Sequence, residues 1–204
     1  MSTEKTEDKR HLRSVKTRQK LLDAAKNVFL VEGFQKATIS QMIKQAETGY
    51  GTAYVHFQGK EDLLSVLMEN VMEQFYEIAT ISFLPESKEE AVRTIRQQCL
   101  AFLKLAEAER SMMQVFEQAI GISSVISDKW KAIREKFIQR ISMDIAYSQK
   151  HGLARTDLSP EITARGWFYM NEMYLWEIVR HEHRQPVEEI ADTITALYTT
   201  GLYK

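Results

Sequence analysis

Apolar residues recur along this chain at i, i+3, i+4 and i+7, the spacing of one face of an α-helix, and few residues interrupt the pattern. Only three prolines and eight glycines punctuate 204 residues, which leaves strands little room. An all-α fold is expected, of a length that suits a small module joined to a larger one.

The punctuation divides the chain into helices. Residues 1–14 are polar without periodicity and read as a flexible arm. From Thr17 a helix carries Leu21, Leu22, Ala25, Val28 and Phe29 inward, and Gly33 should stop it, with Phe34 folding back as in a Schellman closure. Thr38 and Gln41 have the spacing of a capping box that opens a second helix at Ile39, with Met42, Ile43 and Ala46 completing its buried stripe. After Glu47-Thr48-Gly49 a third, short helix runs from about Tyr50 to Phe57 and buries Ala53, Tyr54 and Phe57. Two short helices joined by a tight turn, the second too small to stand alone, have the make-up of a helix-turn-helix. Its outward residues Tyr50, Gly51, Thr52, Val55 and His56 offer hydroxyls, an imidazole and bare backbone where base and phosphate contacts are made.

Charge follows the same division. Residues 1–60 hold eleven Lys/Arg against six acids, while the remainder holds sixteen against twenty-two. A basic head on an acidic body suits a polyanionic partner for the head alone.

The stretch Thr38-Ile39-Ser40-Gln41-Met42-Ile43, followed by Gly51-Thr52-Ala53-Tyr54-Val55-His56-Phe57-Gln58-Gly59-Lys60-Glu61-Asp62-Leu63-Leu64, resembles the signature of the TetR (tetracycline-repressor) family. The resemblance covers about residues 15–65. It departs from the family at Glu47-Thr48-Gly49, where a glycine, an apolar residue and a serine cap are usual, and at His56, where tyrosine is common. It implies a DNA-binding domain over 15–60 and a ligand-binding and dimerisation domain over 61–204. It also implies base reading by Ser40, Gln41, Tyr50 and Thr52, with Thr38, Tyr54, His56 and Lys60 on the phosphates of double-stranded DNA at a near-palindromic operator. Position favours a phosphate contact for Lys60, at the end of the recognition helix, over an ordinary solvated lysine.

In the body, Leu64, Leu67, Val71, Phe75 and Ile78 stripe a long fourth helix, and Ser87 opens another with Val92, Ile95, Cys99, Phe102 and Ala106 inward. Further stripes follow at Met112 to Ile120 and at Ile126 to Ile145. Ser159-Pro160 caps a helix whose apolar residues cover nearly its whole circumference, and a last amphipathic helix follows Pro186. A helix apolar all round needs burial all round, so residues 159–203 are expected to form a two-fold homodimer interface. Phe102, Met113, Phe116, Trp130, Phe137, Trp167, Met170, Asn171 and Tyr174 are the candidate wall of a pocket for a small hydrophobic effector.

Other classes find less support. No Gly-rich phosphate loop, nucleophile elbow or HExxH pair is present, so a helical-bundle enzyme is disfavoured and no cofactor is expected. Glu177 and His181 lie i, i+4 but His183 points elsewhere, so no metal is expected. One cysteine, a charged N-terminus and no apolar run near 18 residues suggest a cytoplasmic protein with no membrane role. The expectation is a repressor released from DNA by its ligand, against the alternative of a DNA-bound adaptor answering to a protein.

Overall fold

The computed structural model of the chain describes residues 2–204, with side chains from His11 onward. Among the described residues are nine helices: α1 (Ser2–Lys36), α2 (Ile39–Gln45), α3 (Tyr50–His56), α4 (Lys60–Ala79), α5 (Lys88–Ala108), α6 (Arg110–Ile122), α7 (Ser124–Lys150), α8 (Pro160–Val179) and α9 (Val187–Leu202). Extended pairing there is limited to one antiparallel bridge, Ala154 with Tyr203. The fold is all-α, as the periodicity predicts. No helix among the described residues is long and apolar enough to cross a membrane.

The chain forms two compact units, one comprising residues up to Asn70 with Val115–Lys129, the other Val71–Gln114 with Trp130–Lys204. The first therefore takes in more than the 15–60 module: half of α4 and the α6–α7 junction pack with it. In this unit α2 and α3 pack on α1 around Leu22, Ala25, Phe29, Met42, Ile43 and Phe57, all buried. In the second unit α5 packs against α8 and α9.

Two expectations about α1 are corrected. The helix begins at Ser2 rather than Thr17, because nothing in residues 2–16 breaks a helix and Glu, Lys and Arg propagate one without an apolar face. The arm expected over 1–14 otherwise falls on Met1, outside the described residues. Gly33 also forms no Schellman closure: at φ 69°, ψ 171° it kinks the helix, which then runs on to Lys36. A side chain tolerates that backbone poorly.

The capping box at α2 is present. The Thr38 hydroxyl accepts from the Gln41 amide at 3.3 Å, and the Gln41 carbonyl oxygen accepts from the Thr38 amide at 2.8 Å. The turn that follows reverses at Glu47, whose φ of 51° takes the place of the glycine the resemblance led one to expect. Gly49 precedes α3 with no side-chain cap.

A Cβ at residue 33 would come within 2.8 Å of the Gln118 side-chain oxygen. Backbone strain and this contact are separable, because the glutamine is a flexible chain. Gly33→Ala is expected to lower Tm by roughly 3–8 °C. Adding Gln118→Ala should recover only a minor part, and full recovery in a thermal melt would show the backbone to be unstrained.

Candidate nucleic-acid interface and cavity

The α2–turn–α3 segment presents a polar face because its apolar residues are used inward: Met42, Ile43, Ala46, Ala53 and Phe57 are buried. Ser40, Gln41, Tyr50, Gly51 and Thr52 are exposed, and His56 is half-buried. Ser40, Tyr50 and Thr52 join no side-chain hydrogen bond among the described residues, which leaves hydroxyls available to an incoming partner. Thr38 and Gln41 hold each other in the cap, so each has part of its hydrogen-bonding capacity engaged. Tyr54, expected inside, is 45% exposed, because α3 is too short to bury more than Ala53 along its own length. Val55, 80% exposed, and Lys44, in the last turn of α2, are further exposed residues beyond the expected contacts.

Lys60 departs from its expected place on a phosphate. Its ammonium donates to the carbonyls of Phe34, Ala37 and Gln35 at 2.8, 3.1 and 3.3 Å and lies 4.6 Å from the centre of the Phe34 ring. An ammonium has three donors, and three carbonyls at the end of α1 use them. A cation there also suits the negative pole of the helix. From the other side, the Phe34 amide donates to the Gln118 carbonyl oxygen at 3.3 Å.

The second unit encloses a cavity of about 80 Å³. Its wall follows helical arithmetic: Ile95, Gln98, Cys99 and Phe102 from α5, then Phe137, Ile141, Asp144 and Ile145 from α7. Trp167, Phe168 and Asn171 of α8, Tyr198 of α9, Tyr203 beyond it, and Ile78, Ala79 and Phe83 complete it. Aromatic rings dominate: Phe137 stacks on Phe168 at 5.7 Å, and Trp167 on Tyr198 at 4.3 Å.

The polar groups of the wall are mostly engaged. Asn171 donates to the Trp167 carbonyl at 2.8 Å and accepts from the Cys99 thiol at 3.2 Å, while Gln98 donates to the Ile78 carbonyl at 3.4 Å. The Tyr203 and Ser148 hydroxyls share a hydrogen bond at 3.2 Å. Asp144 has Arg140 Nη2 at 3.0 Å from one oxygen. Burial nevertheless pushes the Asp144 carboxyl up to about 7, with Arg140 pulling the other way. Burial likewise raises the Cys99 thiol and the Tyr203 hydroxyl, each to about 12.

Of the expected wall, Phe102, Phe137, Trp167 and Asn171 meet at this cavity and five residues do not. Trp130 is core, its indole donating to Glu172 at 2.7 Å, so the polar end that a ligand would use is already paired. Met113 is fully buried in packing, and Phe116 belongs to the first unit. On α8, Met170 turns away from the face shared by Trp167, Phe168 and Asn171. Tyr174 lies further along, on a more polar groove with Glu177, His183, Arg184 and Glu189. Of the wall residues that were missed, Asp144 had a signal in the sequence: a carboxylate three residues after Ile141 and one before Ile145, inside an apolar stripe.

Residues 21–67 match the model of the bacterial regulatory proteins of the tetR family. The chain is 22% identical over 148 residues to the HTH-type transcriptional repressor DhaR of Mycobacterium sp. (strain GP1), covering 72% of this chain and 74% of that one. Against the fatty acid metabolism regulator protein of Bacillus subtilis it is 39% identical over 57 residues, 28% of this chain and 29% of that relative. Among solved structures, SmeT, the repressor of the Stenotrophomonas maltophilia multidrug efflux pump SmeDEF, superposes with a TM-score of 0.70 at 17% identity, over 92% of this chain and 90% of that one. The SmeT–triclosan complex gives 0.74 at 18%, over 92% of each. The chain belongs to the TetR family.

This TetR-family chain is thus a DNA-binding transcriptional regulator, and its match spans the helices that carry the exposed polar face. Beside that face Lys60 is a clamp. Lys60→Met should lower Tm by roughly 4–8 °C through the lost charged hydrogen bonds. It should shift the salt dependence of DNA binding by well under the one unit that a lost phosphate contact would produce.

Asp144 makes a second prediction for this TetR-family member. A carboxyl raised from 3.8 to about 7 favours the protonated form in the fold, so its contribution to stability falls as pH rises from about 4 to about 7. Asp144→Asn removes that penalty. The Tm of the variant minus that of the wild type should grow by roughly 5 °C or more between pH 4 and pH 8; a difference independent of pH would contradict the burial described.

Proposed function

We propose that this chain is a dimeric repressor whose grip on a near-palindromic operator is loosened by a small, largely apolar ligand. The observation that carries the DNA part is the exposed, hydroxyl-bearing face of Ser40, Tyr50 and Thr52 in a head whose residues 1–60 carry eleven Lys/Arg against six acids. Gln41 adds an amide beside them, and Thr38, Tyr54 and His56 flank them at the positions suited to phosphate. The relative DhaR is named a repressor, and SmeT represses an efflux pump and forms a complex with triclosan. Those properties are consistent with the reading.

The dimer follows from α8 and α9. Ile162, Tyr169 and Met173 lie exposed along one side of α8, and Leu197 stands out from α9. Such a patch on two adjacent helices suits a second copy of the chain in a four-helix seam. In a two-fold dimer the recognition helices meet half-sites about 34 Å apart.

The size of the cavity favours a second reading. About 80 Å³ is too little for a drug-sized molecule, which takes about 300 Å³ or more, and a regulator with a filled interior suits a protein partner. A larger ligand would then require a ring of the wall, such as Phe102, Trp167 or Tyr198, to rotate out of the space it fills here.

Operator selection from a random duplex library, followed by anisotropy titration, tests the reading. Tyr50→Ala or Thr52→Ala should weaken the selected duplex about 5- to 150-fold while leaving random DNA within about threefold. Light scattering should give twice the chain mass. A monomer, or equal losses on specific and random DNA, would contradict the proposal.

A further inference from the structure

The cavity carries one more distinction, that of ligand charge. No lysine, arginine or histidine lines it, and Asp144 is its one carboxylate. Asn171, Cys99 and Gln98 are committed to one another or to backbone, and Tyr203 to Ser148. Asp144 differs: Arg140 holds one oxygen at 3.0 Å, and no other hydrogen bond reaches the carboxylate among the described residues. Facing it from α9 and beyond are the hydroxyl-bearing rings of Tyr198 and Tyr203, both of which feel its charge. From α5 and α8 come only uncharged residues.

Around this acceptor stand Phe102, Phe137, Trp167, Phe168 and Tyr198. The faces of aromatic rings are electron-rich and attract cations, most strongly in a desolvated setting. An anionic headgroup meets a like charge at Asp144 and gains nothing from a ring face. Acid and rings therefore discriminate in the same direction.

We propose that the cavity selects a lipophilic organic cation, an amine or quaternary ammonium on an apolar or aromatic skeleton, whose charge pairs with Asp144. The proposal rests on the reading of the cavity as the effector site. Arg140 is the internal cation that holds Asp144 until the ligand arrives. It approaches along the same helix, i, i+4, and also donates to the Ala79 carbonyl at 3.3 Å, which keeps it in place when the carboxylate turns to the ligand. The ligand's ammonium shares or replaces that pairing from the cavity side.

Three probes of one skeleton test this: 4-phenylbutylamine, 4-phenylbutanol and 4-phenylbutyrate, titrated calorimetrically and by intrinsic tryptophan fluorescence at pH 8. The expected order of affinity is amine, then alcohol, then carboxylate. Asp144→Asn should weaken the amine at least tenfold and leave the alcohol within about threefold, while Asp144→Glu keeps the preference for the amine. Arg140→Met should tighten the amine, since a competing cation is gone. Circular dichroism melts establish that each variant is folded. Alcohol or carboxylate binding more tightly than amine, or an amine affinity indifferent to Asp144→Asn, overturns the choice of cation while leaving the cavity as an effector site. Failure of all three probes to bind the wild type overturns the effector site and the proposal with it.

Discussion

A helix end must dispose of carbonyls that no longer have a donor one turn ahead, and in the first unit the end of α1 does so in a way that fixes its neighbours. The kink at Gly33 turns the Phe34 peptide out of line. Lys60 from the start of α4 takes the carbonyls, and Gln118 from α6 takes the amide. The two peptide groups flanking Phe34 thus join three helices, and the polar face of α2 and α3 rests on a scaffold in which side chains of α4 and α6 hold the backbone of α1. The arrangement tolerates variation of the exposed residues, since none of them contributes to the clamp.

The second unit solves a different problem, that of polar atoms inside an aromatic core. Asn171 and Cys99 satisfy each other, Glu172 satisfies Trp130, and Gln98 reaches a helix end. Each pairing removes a potential ligand contact from circulation. What remains accessible is therefore narrower in chemistry than the composition of the wall suggests. The wall's character is set as much by the pairings as by the side chains themselves.

How much of this was legible in the chain depends on the range of the interaction involved. The Thr38–Gln41 cap and the Ser159-Pro160 helix start are local, and both could be read from spacing alone. Lys60 could not, since the carbonyls it binds lie 23 to 26 residues earlier and converge only after α1 has kinked. Large aromatics suit such walls, which points to Trp130, but its partner Glu172 is 42 residues away. The all-round apolar character of α8 was visible, yet composition could not say that Ile162, Tyr169 and Met173 share the side left exposed. Asp144 stood in plain view within an apolar stripe.

Tyr203 contributes to the cavity from outside any helix. Its backbone stands in a short bridge, where the Arg155 amide donates to the Leu202 carbonyl at 2.8 Å and the Lys204 amide to the Leu153 carbonyl at 3.0 Å. Those bonds belong to the main chain and are indifferent to what residue 203 carries. A wall position held in that manner keeps its backbone in place when its side chain changes: exchange costs the packing of the buried ring and its hydrogen bond to Ser148, but no helix need be repositioned. Drift at such a site would let related regulators change the molecules they answer to while the rest of the bundle stays as it is.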